Sequence, residues 1–289
     1  MSGAISKHLL EVNSLRKEFP VRSRGRTGGE PGAPVVAVRD VSLTLDRGEI
    51  LGIVGESGSG KTTLGRIVLG LIAPTSGSVV FEGDDVTYRT PRERRALTRD
   101  IQVIFQDPYG SLNPRQRVED VIREPLDIHK IGTPAERSER VHEVMEQVVL
   151  ADRYRRAYPH ELSGGLRQRV GIAAALVLNP KIVVADEPVS ALDVSVQAQI
   201  IDLLARLQRE TSVGMLFISH DLGVVHEISD RVAVMRRGEI VEYGDVETIY
   251  TSPRHPYTEA LLSAILPVDP GAPFNPITLK DDHAVPAAE

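Results

Sequence analysis

Apolar residues in this chain cluster into short runs separated by stretches of helical spacing. Runs at 35–38, 41–45 and 50–54 read as strands, and the last leads straight into a glycine-rich turn and a helix from Lys61 to about Leu71. Further strand runs lie at 78–81 and 101–105. From about 107 to 178 the strand signal disappears, and 118–127, 135–150 and 164–178 carry helical periodicity instead. Strand runs return at 182–185, 215–219 and 231–235, with a helical pattern over 196–209 between the first two. This alternation predicts an α/β fold with a mainly parallel sheet and an inserted helical subdomain. One or two short helices follow residue 245.

Two stretches break the pattern. Residues 20–34 hold seven Gly or Pro among fifteen, with Arg22, Arg24 and Arg26, and read as a surface loop. From Pro267 the chain is Pro-rich and reads as irregular. The expected organisation is one domain over 1–266, with core segments 1–106 and 180–250, a helical subdomain over 107–179 and C-terminal helices over 251–266. A Pro-rich tail covers 267–289.

Composition narrows the function classes. A chain of 289 residues is long enough for a proper core. A net charge of −6 argues against a broad nucleic-acid footprint, and no nucleic-acid partner is expected. The absence of cysteine removes disulfides and thiolate metal sites. No apolar run approaches the roughly 18–20 residues that span a bilayer. The N-terminal residues lack a signal-peptide layout. A soluble chain is therefore expected, with any membrane role exerted through partner chains.

The glycine-rich turn carries the first chemistry. Gly55-Glu56-Ser57-Gly58-Ser59-Gly60-Lys61-Thr62, followed by Thr63, is a complete phosphate-binding loop between a strand and a helix. Its glycines let backbone N–H groups wrap phosphate oxygens, and the helix adds its positive N-terminal end. Lys61 supplies charge for the β- and γ-phosphates, and the Thr62 hydroxyl is suited to Mg²⁺. Asp186 ends the apolar run 182–185, which places it at the carboxyl edge of the sheet, where open α/β sheets bind ligands. Asp186 is expected to hold Mg²⁺ through water and Glu187 to act as general base toward the attacking water.

Leu162-Ser163-Gly164-Gly165 lies between these two segments, and Ser190-Ala191-Leu192-Asp193 follows the second. In that order the motifs resemble the nucleotide-binding domain of ATP-binding cassette (ABC) proteins. The resemblance implies a P-loop NTPase core of RecA-like mixed sheet, an antiparallel β-subdomain and an inserted α-helical subdomain. It implies ATP and Mg²⁺ as cofactors and a head-to-tail dimer in which Ser163, Gly164 and Gly165 close on the ATP held by the partner. Gln106 matches the Q-loop, which senses Mg²⁺ and γ-phosphate, and His220 matches the histidine that contacts the γ-phosphate. Phe19 sits where an aromatic stacks on adenine, with a core role on the first strand as the alternative. The residue after the second glycine is Leu166 where the family usually has Gln, so a working but weaker signature is expected.

Two further stretches, from Gln106 to Arg115 and from Arg254 to Leu262, are similar to the ATPases of the oligopeptide/dipeptide/nickel importers, most of all the F-type member of the pair. That similarity implies peptide import at the cytoplasmic face of the cell membrane, with nickel or another small solute as the alternative cargo and a non-transport ABC ATPase acting on nucleic acid as the weaker alternative. The implied partners are a second ABC ATPase subunit in a heterodimer, two transmembrane permeases and, indirectly, a solute-binding protein.

Overall fold

The computed structural model describes residues 8–21 and 32–264. Strands β1 (Leu10–Val21), β2 (Gly32–Leu45) and β3 (Ile50–Val54) precede helix α1 (Lys61–Val68). Then come β4 (Ser76–Phe81), β5 (Asp84–Asp85), α2 (Pro91–Asp100) and β6 (Ile101–Ile104). Helices α3 (Pro108–Ser111), α4 (Val118–His129), α5 (Pro134–Gln147) and α6 (Gly164–Leu176) follow without an intervening strand. The chain returns through β7 (Ile182–Asp186), α7 (Val194–Thr211), β8 (Gly214–Ser219), α8 (Leu222–Ile228) and β9 (Arg231–Arg236). It closes with β10 (Glu239–Asp245), α9 (Val246–Thr251) and α10 (Pro256–Ser263).

These strands form two sheets. The larger is six-stranded, in the order β10-β9-β3-β8-β7-β6, parallel except for the antiparallel edge strand β10. The smaller is antiparallel, in the order β2-β1-β4-β5. The parallel strands are buried on both faces, and alternate residues serve two cores. Ile53, Ile182, Val184, Leu216 and Ile218 face α1 and the antiparallel sheet. Val54, Val183, Ala185, Met215 and Phe217 face α7, α8 and the helical stretch.

The expected α/β architecture is present, and the differences have physical causes. Helix α1 stops at Val68, short of Leu71, because Gly70 adopts φ +68° and turns the chain out of the helix. The β1–β2 pairing carries several register irregularities between Val12 and Val21, which blur the period-two signal. Helix α2 escaped the apolar reading because it is rich in arginine and buries little more than Leu97. Its start was nonetheless written in the sequence: Thr90 and Glu93 form a capping box around Pro91. Strand β10 is an exposed edge reached through a tight turn with positive φ at Arg237 and Gly238. The loop reading falls mostly, and the 267–289 tail entirely, outside the described residues.

Candidate nucleotide site

Strand register brings the site together. Ile104 of β6 pairs with Ala185 of β7, Asp186 pairs with Ile218 of β8, and Ser219 pairs with Val54 of β3. Four parallel strands therefore end nearly level. The residues that follow them, Gly55, Gln106, Glu187 and His220, emerge at one carboxyl edge.

The loop after β3 is braced on its outer side by the backbone. Gly238 N–H donates to Ser59 C=O at 2.9 Å. Gly60 has φ +106°, and a Cβ there would lie 2.3 Å from the Ala37 carbonyl oxygen, so only glycine fits. Lys61 opens α1 and folds back on the loop: its Nζ donates to Gly55 C=O at 2.6 Å and to Glu56 C=O at 2.8 Å. Burial pushes the Lys61 ammonium below its ordinary pKa, while Glu187, Asp186 and Glu56 pull the other way.

Thr62 and Asp186 meet across the sheet edge, the threonine hydroxyl donating to Oδ1 at 3.1 Å. Burial raises the Asp186 pKa; the Thr62 hydrogen bond opposes this and the neighbouring Glu187 charge adds to it. Glu187 adopts a left-handed backbone conformation, φ +48°, and its N–H donates to Ile218 C=O at 2.9 Å. Its two carboxylate oxygens face different partners. Gln106 Nε2 donates to Oε2 at 2.8 Å, and His220 Nδ1 lies 3.3 Å from Oε1. The Glu187 side chain is 17% exposed and that of His220 is 56% exposed.

Glu56, Ser57, Gly58, Gly60, Lys61, Thr62, Thr63, Gln106, Glu187 and His220 line one cavity of about 670 Å³. Ser59 is buried in the loop behind it, and Asp186 stands behind Thr62. Two lining residues were missed in the sequence, Ala37 and Leu261. Leu261 lay inside the Arg254–Leu262 stretch, which carried a family likeness but no site role. Phe19 sits on β1 with 39% of its surface exposed and the Lys17 ammonium 5.1 Å from its ring centroid; it does not line this cavity.

The signature residues lie apart from the cavity. Ser163 caps α6, its hydroxyl accepting from Leu166 N–H at 3.4 Å. A Cβ on Gly165 would approach Val196 of α7 to 2.5 Å, and one on Gly164 would approach Leu192 to 3.3 Å. Gly165 is therefore required for the close packing against the segment after Glu187, and Gly164 lies against the same segment with little room to spare. Leu166, partly buried, packs against the large core.

Among the described residues, no group of three or more His, Asp or Glu side chains is arranged to hold a metal ion. The donor set at the loop is a hydroxyl beside a carboxylate, at Thr62 and Asp186. That matches Mg²⁺, which takes one or two protein oxygens and completes its shell with water and phosphate.

Residues 38–190 match the family model described as ABC transporter, and residues 241–284 match that of the oligopeptide/dipeptide transporter C-terminal region. The chain is 48% identical to the oligopeptide transport ATP-binding protein AppF of Bacillus subtilis, covering 92% of this chain and 80% of AppF. It is 47% identical to OppF of the same organism, covering 97% of this chain and 90% of OppF. A Brucella ovis protein provisionally named as a peptide import ATP-binding protein is 50% identical over 96% of this chain and 85% of its own length. A solved dimeric ATP-binding cassette in a post-hydrolysis state, bound to ADP and Pi, superposes with a TM-score of 0.71 at 30% identity. That superposition covers 82% of this chain and 98% of the other.

Fold and site thus define an ABC-type nucleotide-binding domain. Within that class, the chain belongs to the ATP-binding proteins of the oligopeptide/dipeptide importer family.

Proposed function

We propose that this chain hydrolyses ATP to drive peptide import through a membrane ABC transporter. The observation that carries the reading is the placement of Glu187 between Gln106 and His220 at the mouth of the Lys61 loop. The loop amides and Lys61 bind the β- and γ-phosphates, and Thr62 and Asp186, with Gln106, would hold Mg²⁺. The ion, when bound, neutralises charge on the phosphate oxygens. Glu187 accepts a proton from the water that attacks the γ-phosphorus; the β–γ bridging bond breaks, leaving ADP and phosphate. Gln106 and His220 hold the Glu187 carboxylate in line with that water. The exposed ring of Phe19 offers the adenine a stacking face.

The signature at Ser163, Gly164 and Gly165 acts on a nucleotide held by a second ABC ATPase subunit, in a head-to-tail heterodimer. Two features support this: the distance of the signature from its own cavity, and the dimeric form of the related cassette. A second, largely apolar hollow of about 310 Å³ is lined by Phe105, the residue before Gln106, and by Ile128, each 49% exposed. It suits a cytoplasmic helix of a permease, and nucleotide-driven motion of Gln106 would be felt there. No helix among the described residues is long and apolar enough to cross a membrane. The permeases therefore hold the chain at the cytoplasmic face, and a solute-binding protein feeds them. Peptide is preferred to nickel as cargo because both AppF and OppF carry oligopeptide transport in their names.

The test is uptake by the chain assembled with its permeases and second ATPase in vesicles containing ATP. Labelled oligopeptide should accumulate and stimulate hydrolysis. Accumulation of Ni²⁺ without peptide would overturn the cargo, and hydrolysis that depends on added nucleic acid would overturn the transporter reading.

A further inference from the structure

Helix α10 returns across the nucleotide face of the domain. Its first turn is set by Pro256 and by His255, whose Nδ1 accepts from Tyr257 N–H at 3.1 Å. Tyr257 is 1% exposed, and the Arg236 guanidinium lies 4.9 Å from its ring centroid. Its hydroxyl accepts a hydrogen bond from Glu56 N–H at 3.2 Å. One turn further along, Leu261 forms part of the cavity wall.

Glu56 N–H and Gly55 C=O belong to the same peptide group. Lys61 Nζ holds its carbonyl at 2.6 Å, and Tyr257 holds its N–H from the other side. Peptide groups are planar, so two partners pulling on opposite ends fix the orientation of the whole plane. When Lys61 turns toward phosphate, the carbonyl loses that partner. The tyrosine hydroxyl then becomes the tether on this plane, and the loop that follows it must keep its shape for the amides to reach phosphate oxygens.

We propose that Tyr257 is a positioning residue for the nucleotide loop: its hydroxyl holds the Gly55–Glu56 peptide while Lys61 engages ATP. The C-terminal helix is thereby part of the ATP site and not only a cap on the fold. Burial raises the pKa of the phenol, so the Glu56 N–H meets a neutral hydroxyl as its acceptor through the physiological range. This inference rests on the reading of the Lys61 loop as the ATP cradle, which Lys61→Ala tests separately.

Tyr257→Phe keeps the ring against Arg236 and deletes only the hydroxyl. ATP affinity of the isolated chain, measured by calorimetry with Mg²⁺, should fall three- to tenfold, about 0.7–1.4 kcal/mol. KM for ATP in the assembled transporter should rise in step, with kcat within twofold and the melting temperature nearly unchanged. Amide exchange at Glu56 in the presence of ATP should quicken. Tyr250→Phe serves as the control: it deletes a half-buried hydroxyl in α9 that donates to Leu222 C=O, away from the loop. Unchanged ATP affinity in Tyr257→Phe would overturn the proposal, as would an equal loss in Tyr250→Phe. If Lys61→Ala binds ATP normally, the cradle reading itself fails; if it binds poorly while Tyr257→Phe binds normally, only the tyrosine's role is lost.

Discussion

Gln106 donates to the carboxylate of Glu187 across 81 residues of sequence, at 2.8 Å. The contact joins the end of β6 to the end of β7, the point where the helical stretch leaves the sheet and the point where the chain has just returned to it. A single amide thus bridges the start of that stretch and the proposed general base.

Replacing Glu187 by Gln keeps the size of the side chain but removes the proton acceptor. Turnover in the assembled transporter should drop about 10²–10⁴-fold, while ATP binding, measured by calorimetry, is retained. Near-normal phosphate release would rule out Glu187 as the base.

Gln106→Ala removes one of the two side chains that hold Glu187. Hydrolysis should fall by roughly tenfold in kcat from the lost positioning of the base, while KM for ATP should rise by no more than about threefold, because Thr62 and Asp186 remain to hold Mg²⁺. A rise in KM with kcat intact would assign Gln106 to binding instead.

Asp186 has its pKa raised above the ordinary 3.8 by burial, so the fold favours its protonated form. That contribution is present in full below the unfolded pKa and is lost as pH rises through the folded one. At pH 7–8 the buried charge therefore weakens the fold. Asp186→Asn should raise the melting temperature of the chain measured without nucleotide by about 1–4 °C. The gain should shrink as pH falls toward 4, and Mg²⁺-dependent hydrolysis should be lost. A lower melting temperature at pH 7–8 would show that the carboxylate stabilises the fold.

Gly165→Ala forces a methyl group to within 2.5 Å of Val196 Cγ1 unless something moves. The expected destabilisation is about 1–3 kcal/mol, read by denaturant unfolding. Val196→Ala should relieve most of it in a double-mutant cycle. Additive effects in the double variant would place the strain elsewhere.

Much of the site was legible in the chain as written. The loop from Gly55 to Thr62 is contiguous, and two of its requirements are local: a left-handed backbone conformation open to glycine at Gly60, and a helix start at Lys61; the Ala37 carbonyl that also excludes a side chain at Gly60 is not. Asp186 and Glu187 were marked by the apolar run that ends beside them. Such features follow from short-range backbone geometry and side-chain chemistry, so sequence determines them alone. The proximity of Gln106, Glu187 and His220 depends on the parallel register of β6, β7 and β8, which no local pattern specifies. The reason Gly165 must be glycine is Val196, and the partner of the Glu56 amide is Tyr257, some two hundred residues on. Those relationships were decided only when non-local packing brought separate segments against one another.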